Sequence, residues 1–311
     1  MNVDILYLEI TNQCNFLCKH CQNSSGILAE EIIDVNDFEY ILSFFLERGL
    51  ETLNITGGEP TVHPDFPYIL ECAAQKNIKV NLLTNGYYVD RYMELIYKYR
   101  RNVFVQISLD GYDRESFYKI RNNYKFNSII KNIRLLKERG IDVRIKSTLT
   151  KDNMDFYKKY IDLAVSLDCP IKFNFLNPVG RGKSLNQLCL GYEDIVLFDK
   201  SVMDPEERKC IPTIDEFFPP KCSVLNYSES IKVIKITSAG YVYPCIGFRE
   251  EWLSLGNYRK DTLESILKNI EKLKKGIVNK ISEKECLNCE GLDNCHKTCV
   301  LSCDYFEVVC S

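Results

Sequence analysis

Short apolar runs alternate with helical patterns over the first 175 residues of the chain. Six runs are rich in Val, Ile, Leu and Phe and predict buried strands. They are Ile5–Ile10, Thr52–Ile55, Val80–Leu83, Val103–Ser108, Val143–Thr148 and Ile171–Phe175. Apolar positions with helical spacing predict the helices Val35–Glu47, Phe66–Gln75, Arg91–Tyr99, Phe126–Arg139 and Met154–Leu167.

Repeated strand–helix units favour a parallel sheet. Six units are too few for a closed eight-stranded barrel, so we predict an α/β fold, a partial (β/α)6 TIM-like barrel with its chemistry on the loops after the strands. The barrel is expected to span residues 1–195 and a bridging segment residues 196–220. A cysteine-rich domain with short strands and a helix near Leu263–Lys275 is expected over residues 221–311.

The amino-acid composition limits the classes of partner that we expect for this protein. The 311 residues are 45% hydrophobic and 27% charged, which suits a folded protein with a core. The net charge of −3 and the lack of a Lys/Arg tract argue against nucleic acid or a membrane as a partner. The chain contains neither a run of 18 apolar residues nor a basic leader, so we expect a cytoplasmic protein.

Fifteen cysteines are the outlying feature of the composition. In a reducing compartment, clustered cysteines indicate metal ligation rather than disulfides. Cys14, Cys18 and Cys21 follow the first predicted strand and offer three thiolates to one small volume, as an iron–sulfur cluster requires. Three ligands for four irons leave one iron open. Zinc is the alternative, but a structural zinc site needs four ligands and only His20 lies nearby.

The Cys-x3-Cys-x2-Cys spacing of Cys14, Cys18 and Cys21 resembles the hallmark of the radical S-adenosylmethionine (SAM) enzymes. The resemblance implies that the amino and carboxylate groups of SAM chelate the open iron of a [4Fe-4S] cluster. It also implies reductive cleavage of SAM to methionine and a 5′-deoxyadenosyl radical, with an electron donor such as flavodoxin or ferredoxin. An oxygen-sensitive enzyme of anaerobic cytoplasm would follow.

Weaker matches follow other strands. Gly57-Gly58-Glu59-Pro60 looks like the family's GGEP segment near the SAM amino group, and Ser108 resembles its ribose-contacting position. Lys146 is expected to balance the SAM carboxylate, and His20 to lie near the adenine. Each also has an ordinary structural interpretation. These are a turn for residues 57–60, a strand end for Ser108, a solvated side chain for Lys146 and a hydrogen-bonded loop residue for His20. Residues 177–182 resemble a Pro-x-Gly-Arg segment of one branch of the family. No residue is nominated as a catalytic acid or base.

A second cysteine pattern occupies the C-terminal part of the chain. Its members are Cys222, Cys245, Cys286, Cys289, Cys295, Cys299, Cys303 and Cys310. The spacing resembles the SPASM extension of radical SAM enzymes, which houses two auxiliary [4Fe-4S] clusters. The first interval, Cys222-x17-Gly240, is two residues longer than the family pattern. A zinc knuckle formed by the four central cysteines is the alternative.

The resemblance implies how these thiols divide between two clusters. Cys222, Cys245 and Cys299 would hold the first auxiliary cluster, with Cys210 as a possible fourth ligand. Cys286, Cys289 and Cys295 would hold the second, closed by Cys310 or, less favourably, by Cys303. If Cys210 does not contribute, one iron of the first cluster stays open. Cys72, Cys169 and Cys189 are interpreted as small core residues.

The resemblance also implies a substrate class. SPASM extensions are typical of enzymes that modify peptides or small proteins, so a ribosomally synthesised peptide is the first hypothesis, with oxidative crosslinking or a related change. Many such enzymes carry an N-terminal leader-binding domain, whereas here the first strand begins by residue 5, so leader recognition is expected from a separate protein or from the barrel. The alternatives are a dehydrogenase of a sugar or amino alcohol, and a non-catalytic metal-cluster binding protein.

Overall fold

The computed structural model describes residues 1–211, 224 and 230–283. Six parallel strands follow one another in chain order, as predicted, and each pairs with the next. They are β1 (Asn2–Glu9), β2 (Thr52–Thr56), β3 (Lys79–Thr84), β4 (Val103–Ser108), β5 (Val143–Leu149) and β6 (Ile171–Phe175). The predicted α/β fold, with a partial barrel of parallel strands, is confirmed.

Helices connect the strands and cover one face of the sheet. They are α1 (Val35–Leu46), α2 (Phe66–Ala74), α3 (Met93–Lys98), α4 (Arg114–Arg121), α5 (Phe126–Glu138) and α6 (Tyr157–Ser166). In α1, Phe38, Ile41, Leu42 and Phe45 are all buried, at the spacing of a single helix face. Burial of each such side chain contributes about 1.5–3 kcal/mol relative to exposure.

Helix α4 is absent from the prediction because its sequence is polar and lacks a long apolar stripe. It begins at a capping box in which the Asp113 Oδ1 accepts a hydrogen bond of 2.8 Å from the Ser116 N–H. It ends at Asn122, whose backbone is left-handed with φ of 51°. Only Phe117 and Arg121 are buried in it. The helix therefore depends on its caps and on two buried side chains.

The alternation of side chains along each strand decides what faces the barrel interior. In β4, Val103, Val105 and Ile107 are buried, whereas Gln106 and Ser108 point the other way and line an interior cavity. Parallel strands present their carboxyl ends at one edge, so polar side chains from several strands meet there.

A seventh parallel strand, β7 (Ser230–Ile236), pairs along the free edge of β1, with Asn2 opposite Ser230 and Leu8 opposite Ile236. Antiparallel β8 (Tyr241–Tyr243) and β9 (Gly256–Asn257) extend the sheet to nine strands in the order β6-β5-β4-β3-β2-β1-β7-β8-β9. The sequence predicts short strands in this region but not their continuation of the barrel sheet. The pairing covers the backbone groups of β1 that would otherwise form an open edge.

The remaining α-helices of the described residues are α7 (Tyr192–Ser201), α8 (Pro205–Arg208), α9 (Leu263–Lys268) and α10 (Ile270–Glu283). The helix predicted near Leu263–Lys275 is thus two helices, which meet at Asn269. The division of the chain at residues 195 and 221 stays a prediction. Within the described ranges, no helix combines the length and the apolar character needed to cross a membrane.

Candidate cofactor site

A cavity of about 400 Å³ lies at the carboxyl ends of the parallel strands. This volume falls within the range of about 300–1,000 Å³ that small-molecule sites occupy. Its lining includes eight of the residues predicted from sequence, namely Cys14, Cys18, His20, Cys21, Gly57, Gly58, Ser108 and Lys146. The fold therefore brings together residues from the loops after β1 and β2 and from the strands β4 and β5.

The three cysteines belong to a loop that is held by backbone hydrogen bonds from several sides. The Cys14 N–H donates to the Gly26 carbonyl at 3.1 Å, and the Lys19 N–H donates to the Ile120 carbonyl at the end of α4 at 3.0 Å. The Phe16 N–H lies 3.4 Å from the Cys14 Sγ. Backbone N–H groups directed at a ligand thiolate stabilise its negative charge.

The thiols fit an iron–sulfur cluster in their chemistry. Burial raises the pKa of Cys14 to about 12 and also raises the pKa of Cys18. Ionised thiolates at these depths need cations beside them, which iron supplies. Among residues 1–211, 224 and 230–283, no three His, Cys, Asp or Glu side chains are placed to bind a single metal ion. A [4Fe-4S] cluster takes each thiolate on a different iron, so the chemistry of the three thiols fits such a cluster.

The glycines of the Gly57-Gly58-Glu59-Pro60 segment are required by its close approach to the cysteine loop. A Cβ on Gly57, where φ is +148°, would lie 2.3 Å from the Thr11 carbonyl oxygen, and one on Gly58 would lie 2.1 Å from that of Gln13. The Gly58 N–H donates to the Thr11 carbonyl at 2.6 Å. From sequence, the glycines indicate either an approach to SAM or an ordinary turn. The structure shows that they also pack against backbone just before Cys14.

Glu59 is buried and is not part of the cavity lining in the described structure. Its carboxylate accepts hydrogen bonds from the Thr84 hydroxyl and the Asn85 N–H, both at 2.6 Å, and from the Thr61 hydroxyl at 2.5 Å. Burial raises the pKa of Glu59, and these hydrogen bonds oppose that rise. The direct SAM contact predicted for Glu59 stays a prediction, since in the structure its carboxylate ties the loops after β2 and β3 together.

Asp110, which is not among the site residues predicted from sequence, forms a buried charge cluster beside the cysteines. Its Oδ2 lies 2.5 Å from the Arg121 Nε and 3.2 Å from the His20 Nε2. Burial opposes ionisation of Asp110, but Arg121 and His20 outweigh it and hold the pKa of that carboxyl well below its usual range. The Arg121 Nη1 in turn lies 3.5 Å from the Cys18 Sγ. In the sequence, the feature that could have indicated this cluster is the Asp113-x-x-Ser116 cap, because it begins the helix α4 that carries Arg121.

Ser108 and Lys146 lie directly opposite each other in the register of β4 and β5, and both line the cavity. A hydroxyl and an ammonium group are thus side by side at the cavity wall, where they could contact ribose and carboxylate groups. His20 is mostly buried, with 15% of its side chain exposed. These positions agree with the roles predicted for the three residues, which stay proposals.

The C-terminal strands add a charged part to the cavity wall that sequence reasoning missed. Glu9, at the end of β1, pairs with Arg249 at 3.4 Å between Oε1 and Nη2. Burial raises the pKa of Glu9, and Arg249 opposes that rise. Lys235 of β7 is buried and donates to the carbonyls of Ile246, at 3.2 Å, and Phe248. These three charged side chains all line the cavity.

A second cavity of about 270 Å³ shares Glu9, Gln22, Asn23 and Arg249 with the first. It extends between the cysteine loop and the hairpin of β7 and β8, where Tyr241 and Tyr243 line it. The two cavities are therefore neighbours that share part of their walls.

Most of the predicted auxiliary ligands lie outside the described residues. They are Cys222, Cys286, Cys289, Cys295, Cys299, Cys303 and Cys310. Cys245 is half-buried just after β8, and the Cys210 carbonyl accepts a hydrogen bond of 2.8 Å from the Phe173 N–H of β6. Since β6 and β8 lie towards opposite ends of the sheet order, the ligand role of Cys210 stays a prediction.

The three remaining cysteines lie outside the cavity lining that the structure describes. Cys169 and Cys189 are buried, which confirms that they are core residues, whereas Cys72 is only partly buried against the core.

Comparison with known proteins identifies the family. The Radical SAM superfamily model matches residues 8–162, and the model of the SPASM iron–sulfur cluster-binding domain matches residues 229–290. The chain belongs to the radical SAM superfamily of enzymes and carries a SPASM domain. Radical SAM membership implies SAM and a [4Fe-4S] cluster, and the SPASM domain implies auxiliary iron–sulfur clusters.

The chain is similar to several named proteins over most of its length. The chain is 31% identical over 267 residues to the antilisterial bacteriocin subtilosin biosynthesis protein AlbA of Bacillus subtilis, covering 83% of this chain and 58% of AlbA. It is 26% identical to the mycofactocin maturase MftC of Mycobacterium tuberculosis, covering 94% of this chain and 77% of MftC. It is 24% identical to a GTP 3′,8-cyclase of Chlorobaculum tepidum, covering 96% and 93% of the two chains.

Solved structures share the fold at low identity. The Streptococcus suis protein SuiB bound to S-adenosylmethionine superposes with a TM-score of 0.74 at 20% identity, covering 97% of this chain and 74% of SuiB. Native anSMEcpe with bound AdoMet and Cp18Cys peptide superposes with a TM-score of 0.67 at 19% identity, covering 99% and 97% of the two chains. At these identities the likeness establishes the architecture alone.

Proposed function

We propose that this protein is a radical SAM oxidoreductase that modifies a ribosomally synthesised peptide by forming a crosslink or another new bond. The observation that carries the proposal is the single cavity that holds Cys14, Cys18 and Cys21 together with Ser108 and Lys146. When bound, SAM and its reduced cluster supply a 5′-deoxyadenosyl radical that removes a hydrogen atom from a substrate carbon.

The chain's own residues would bind and orient these groups. The three cysteines would hold the cluster, and Gly57 and Gly58 would place backbone next to SAM where no side chain intervenes. Ser108 and Lys146 would contact the ribose and the carboxylate, with His20 beside the adenine. The enclosing loops would exclude water, which protects a reactive intermediate from side reactions.

A peptide substrate is supported by the relatives and by the cavity. AlbA and MftC are named for the biosynthesis of a bacteriocin and for a maturase, and the anSMEcpe structure contains a bound peptide. The second cavity, which shares Glu9 and Arg249 with the first, would offer further space for a substrate beside the cofactor site. The overall reaction would be an oxidation, with an auxiliary cluster as the electron acceptor.

A small-molecule substrate is the second candidate. It is favoured by the relationship to a GTP 3′,8-cyclase, which covers 96% of this chain. A dehydrogenase of a sugar or amino alcohol would need the same cavity and less surface. The two candidates differ in whether the hydrogen atom is removed from a peptide or from a small molecule.

The cofactor count and the partners complete the proposal. Three [4Fe-4S] clusters are proposed, one bound by Cys14, Cys18 and Cys21 and two by the C-terminal cysteines. A flavodoxin or ferredoxin would supply electrons, and the barrel or a separate protein would recognise the leader peptide. The proposed compartment is reducing, anaerobic cytoplasm, because an open cluster iron is exposed to oxidants.

The test begins with anaerobic purification and the determination of iron, sulfide and zinc. About twelve irons per chain are expected for three clusters. The protein is then incubated with dithionite, SAM and candidate precursor peptides carrying deuterium at side-chain carbons. Deuterated 5′-deoxyadenosine together with an oxidised peptide supports the proposal. Zinc in place of iron, with intact SAM, would overturn it, and deuterium transfer from small molecules only would favour the second candidate.

A further inference from the structure

The loop that follows β6 folds back onto the cysteine loop and is joined to it by one residue. The Arg181 N–H donates to the Cys21 carbonyl at 3.0 Å. The Arg181 Nε donates to the Cys18 carbonyl, also at 3.0 Å. A single arginine therefore holds the backbone at both the second and the third cysteine of the triplet.

The glycines on either side of Arg181 make this close contact possible. Gly180 has a left-handed backbone with φ of +59°, and a Cβ there would lie 2.3 Å from the Gln22 carbonyl oxygen and 2.6 Å from that of Cys21. A Cβ on Gly182 would lie 2.8 Å from the Asn177 carbonyl oxygen. Any side chain at Gly180 would push the two loops apart. The Gly-Arg-Gly sequence is thus matched to the backbone of the cysteine loop.

The outer end of Arg181 reaches the cofactor cavity with one donor group uncommitted. Arg181 lines the cavity, and its Nη2 is buried without a hydrogen-bond partner in the structure as described. A buried guanidinium N–H is strongly disfavoured without an acceptor. The groups that would bind in this cavity offer acceptors that could satisfy it, namely a cluster sulfur or an oxygen or nitrogen of SAM.

We propose that Arg181 is a positioning residue of the SAM-binding cluster, which sets the Cys18–Cys21 backbone and donates a hydrogen bond from Nη2 to the bound cofactor. This inference rests on the proposed function, because it assigns the cavity to SAM and its cluster. Under this proposal the Pro-x-Gly-Arg segment has a physical role at the cofactor site. Its position in the sequence, about 160 residues from the cysteines, does not indicate that role.

Two substitutions test the proposal on the anaerobic, fully loaded protein. Arg181→Met removes both side-chain donors, and Arg181→Lys keeps the charge but not the geometry of the guanidinium. Lys183→Met is the matched control, because Lys183 is exposed and lies two residues further along the same loop. Iron content, SAM affinity by equilibrium dialysis and the electron paramagnetic resonance difference spectrum produced by SAM are measured for each.

We expect Arg181→Met to weaken SAM binding at least tenfold and to alter the SAM-induced difference spectrum, with Arg181→Lys restoring neither fully and Lys183→Met matching the wild type. If Nη2 bonds a cluster sulfur, the reduction potential of the SAM-binding cluster shifts even without SAM. If Nη2 bonds SAM itself, the potential changes only when SAM is present. Wild-type SAM affinity, potential and spectrum in Arg181→Met would overturn the proposal.

A variant that loses the cluster through misfolding is recognised by its iron content and circular dichroism. In that case Arg181→Lys provides the comparison, and wild-type SAM affinity, potential and spectrum in that variant would also overturn the proposal. If the wild-type protein itself neither binds SAM nor shows a SAM-dependent spectrum, the proposed function fails first. If the wild type does both and the Arg181 variants match it, only the role of Arg181 is wrong.

Discussion

The Asp110 carboxylate and the Arg121 guanidinium form a buried ion pair beside the cysteine loop, with Oδ2 and Nε 2.5 Å apart. Only 2% of the Asp110 side chain and 10% of the Arg121 side chain are exposed. The pair joins the loop after β4 to the end of α4, and the Arg121 Nη1 also lies 3.5 Å from the Cys18 Sγ. Removal of either partner leaves an uncompensated charge in the interior.

We therefore expect Asp110→Asn to destabilise the protein by about 3–5 kcal/mol, because Arg121 would stay buried without a counter-charge. Arg121→Met should have a similar cost, and the double variant should be less destabilised than the sum of the two. Urea unfolding of the anaerobic proteins measures these differences. Additive effects in the double variant would show that the two side chains do not act as a pair.

Substitution of any one of Cys14, Cys18 and Cys21 by Ala should abolish formation of 5′-deoxyadenosine. Each variant should lose about four irons and keep the absorbance of the other clusters, because the SAM-binding cluster depends on all three thiolates. Iron analysis and chromatography of the SAM products provide the measurement. Retained SAM cleavage in any of the three variants would contradict the assignment.

Cys289→Ala tests whether the N-terminal and the C-terminal cysteines serve clusters with different roles. We expect it to lose iron from an auxiliary cluster and to keep SAM cleavage while it no longer completes substrate modification. The readouts are iron content, 5′-deoxyadenosine and peptide mass. Loss of SAM cleavage in a correctly folded variant would contradict separate roles for the clusters.

Gly57→Ala compared with Gly49→Ala separates backbone conformation from close contact. Both glycines have positive φ, at +148° and +79°, but only a Cβ on Gly57 meets backbone, since nothing lies within 4 Å of a Cβ on Gly49. Gly49→Ala should cost about 1 kcal/mol and leave SAM binding unchanged. Gly57→Ala should also weaken SAM binding at least tenfold, measured by equilibrium dialysis. Equal SAM affinity in the two variants would show that the contact with Thr11 is not needed.

The Glu9–Arg249 pair predicts a dependence of stability on pH. Burial raises the pKa of Glu9 above its unfolded value, so the folded state favours the protonated carboxyl and stability is lost as pH rises through the folded pKa. Arg249→Met removes the cation that opposes this rise. The variant should therefore lose more stability than the wild type as pH rises above the ordinary pKa of a glutamate carboxyl.

Urea midpoints across that pH range test the expectation. The control is the double variant Glu9→Gln with Arg249→Met, which has no carboxyl to titrate and should lose the extra pH dependence. A stability difference between Arg249→Met and the wild type that is constant with pH would show that Arg249 acts through packing alone.

Much of the fold was predictable because its determinants are local. Alternate side chains of the parallel strands β3 to β6 are buried, so each strand stands out as a short run rich in apolar residues. The helices between them show an apolar stripe, except α4, whose polar sequence is stabilised by the Asp113–Ser116 cap and by the burial of Phe117. Strand β7 is short and apolar as well, but its pairing with β1 joins residues more than 200 positions apart.

The sequence by itself determined the cysteine ligand spacing, the order of the barrel strands and the loops on which the chemistry lies. These features depend on side-chain type and on periodicity within a few residues. Only the tertiary structure decided that Glu59 ties loops together, that Asp110 and Arg121 lie beside Cys18, and that Glu9 meets Arg249. It also placed Arg181 on the cysteine loop. Each of these contacts depends on which distant backbone segments the parallel sheet brings to one edge, and that depends on the packing of the whole barrel.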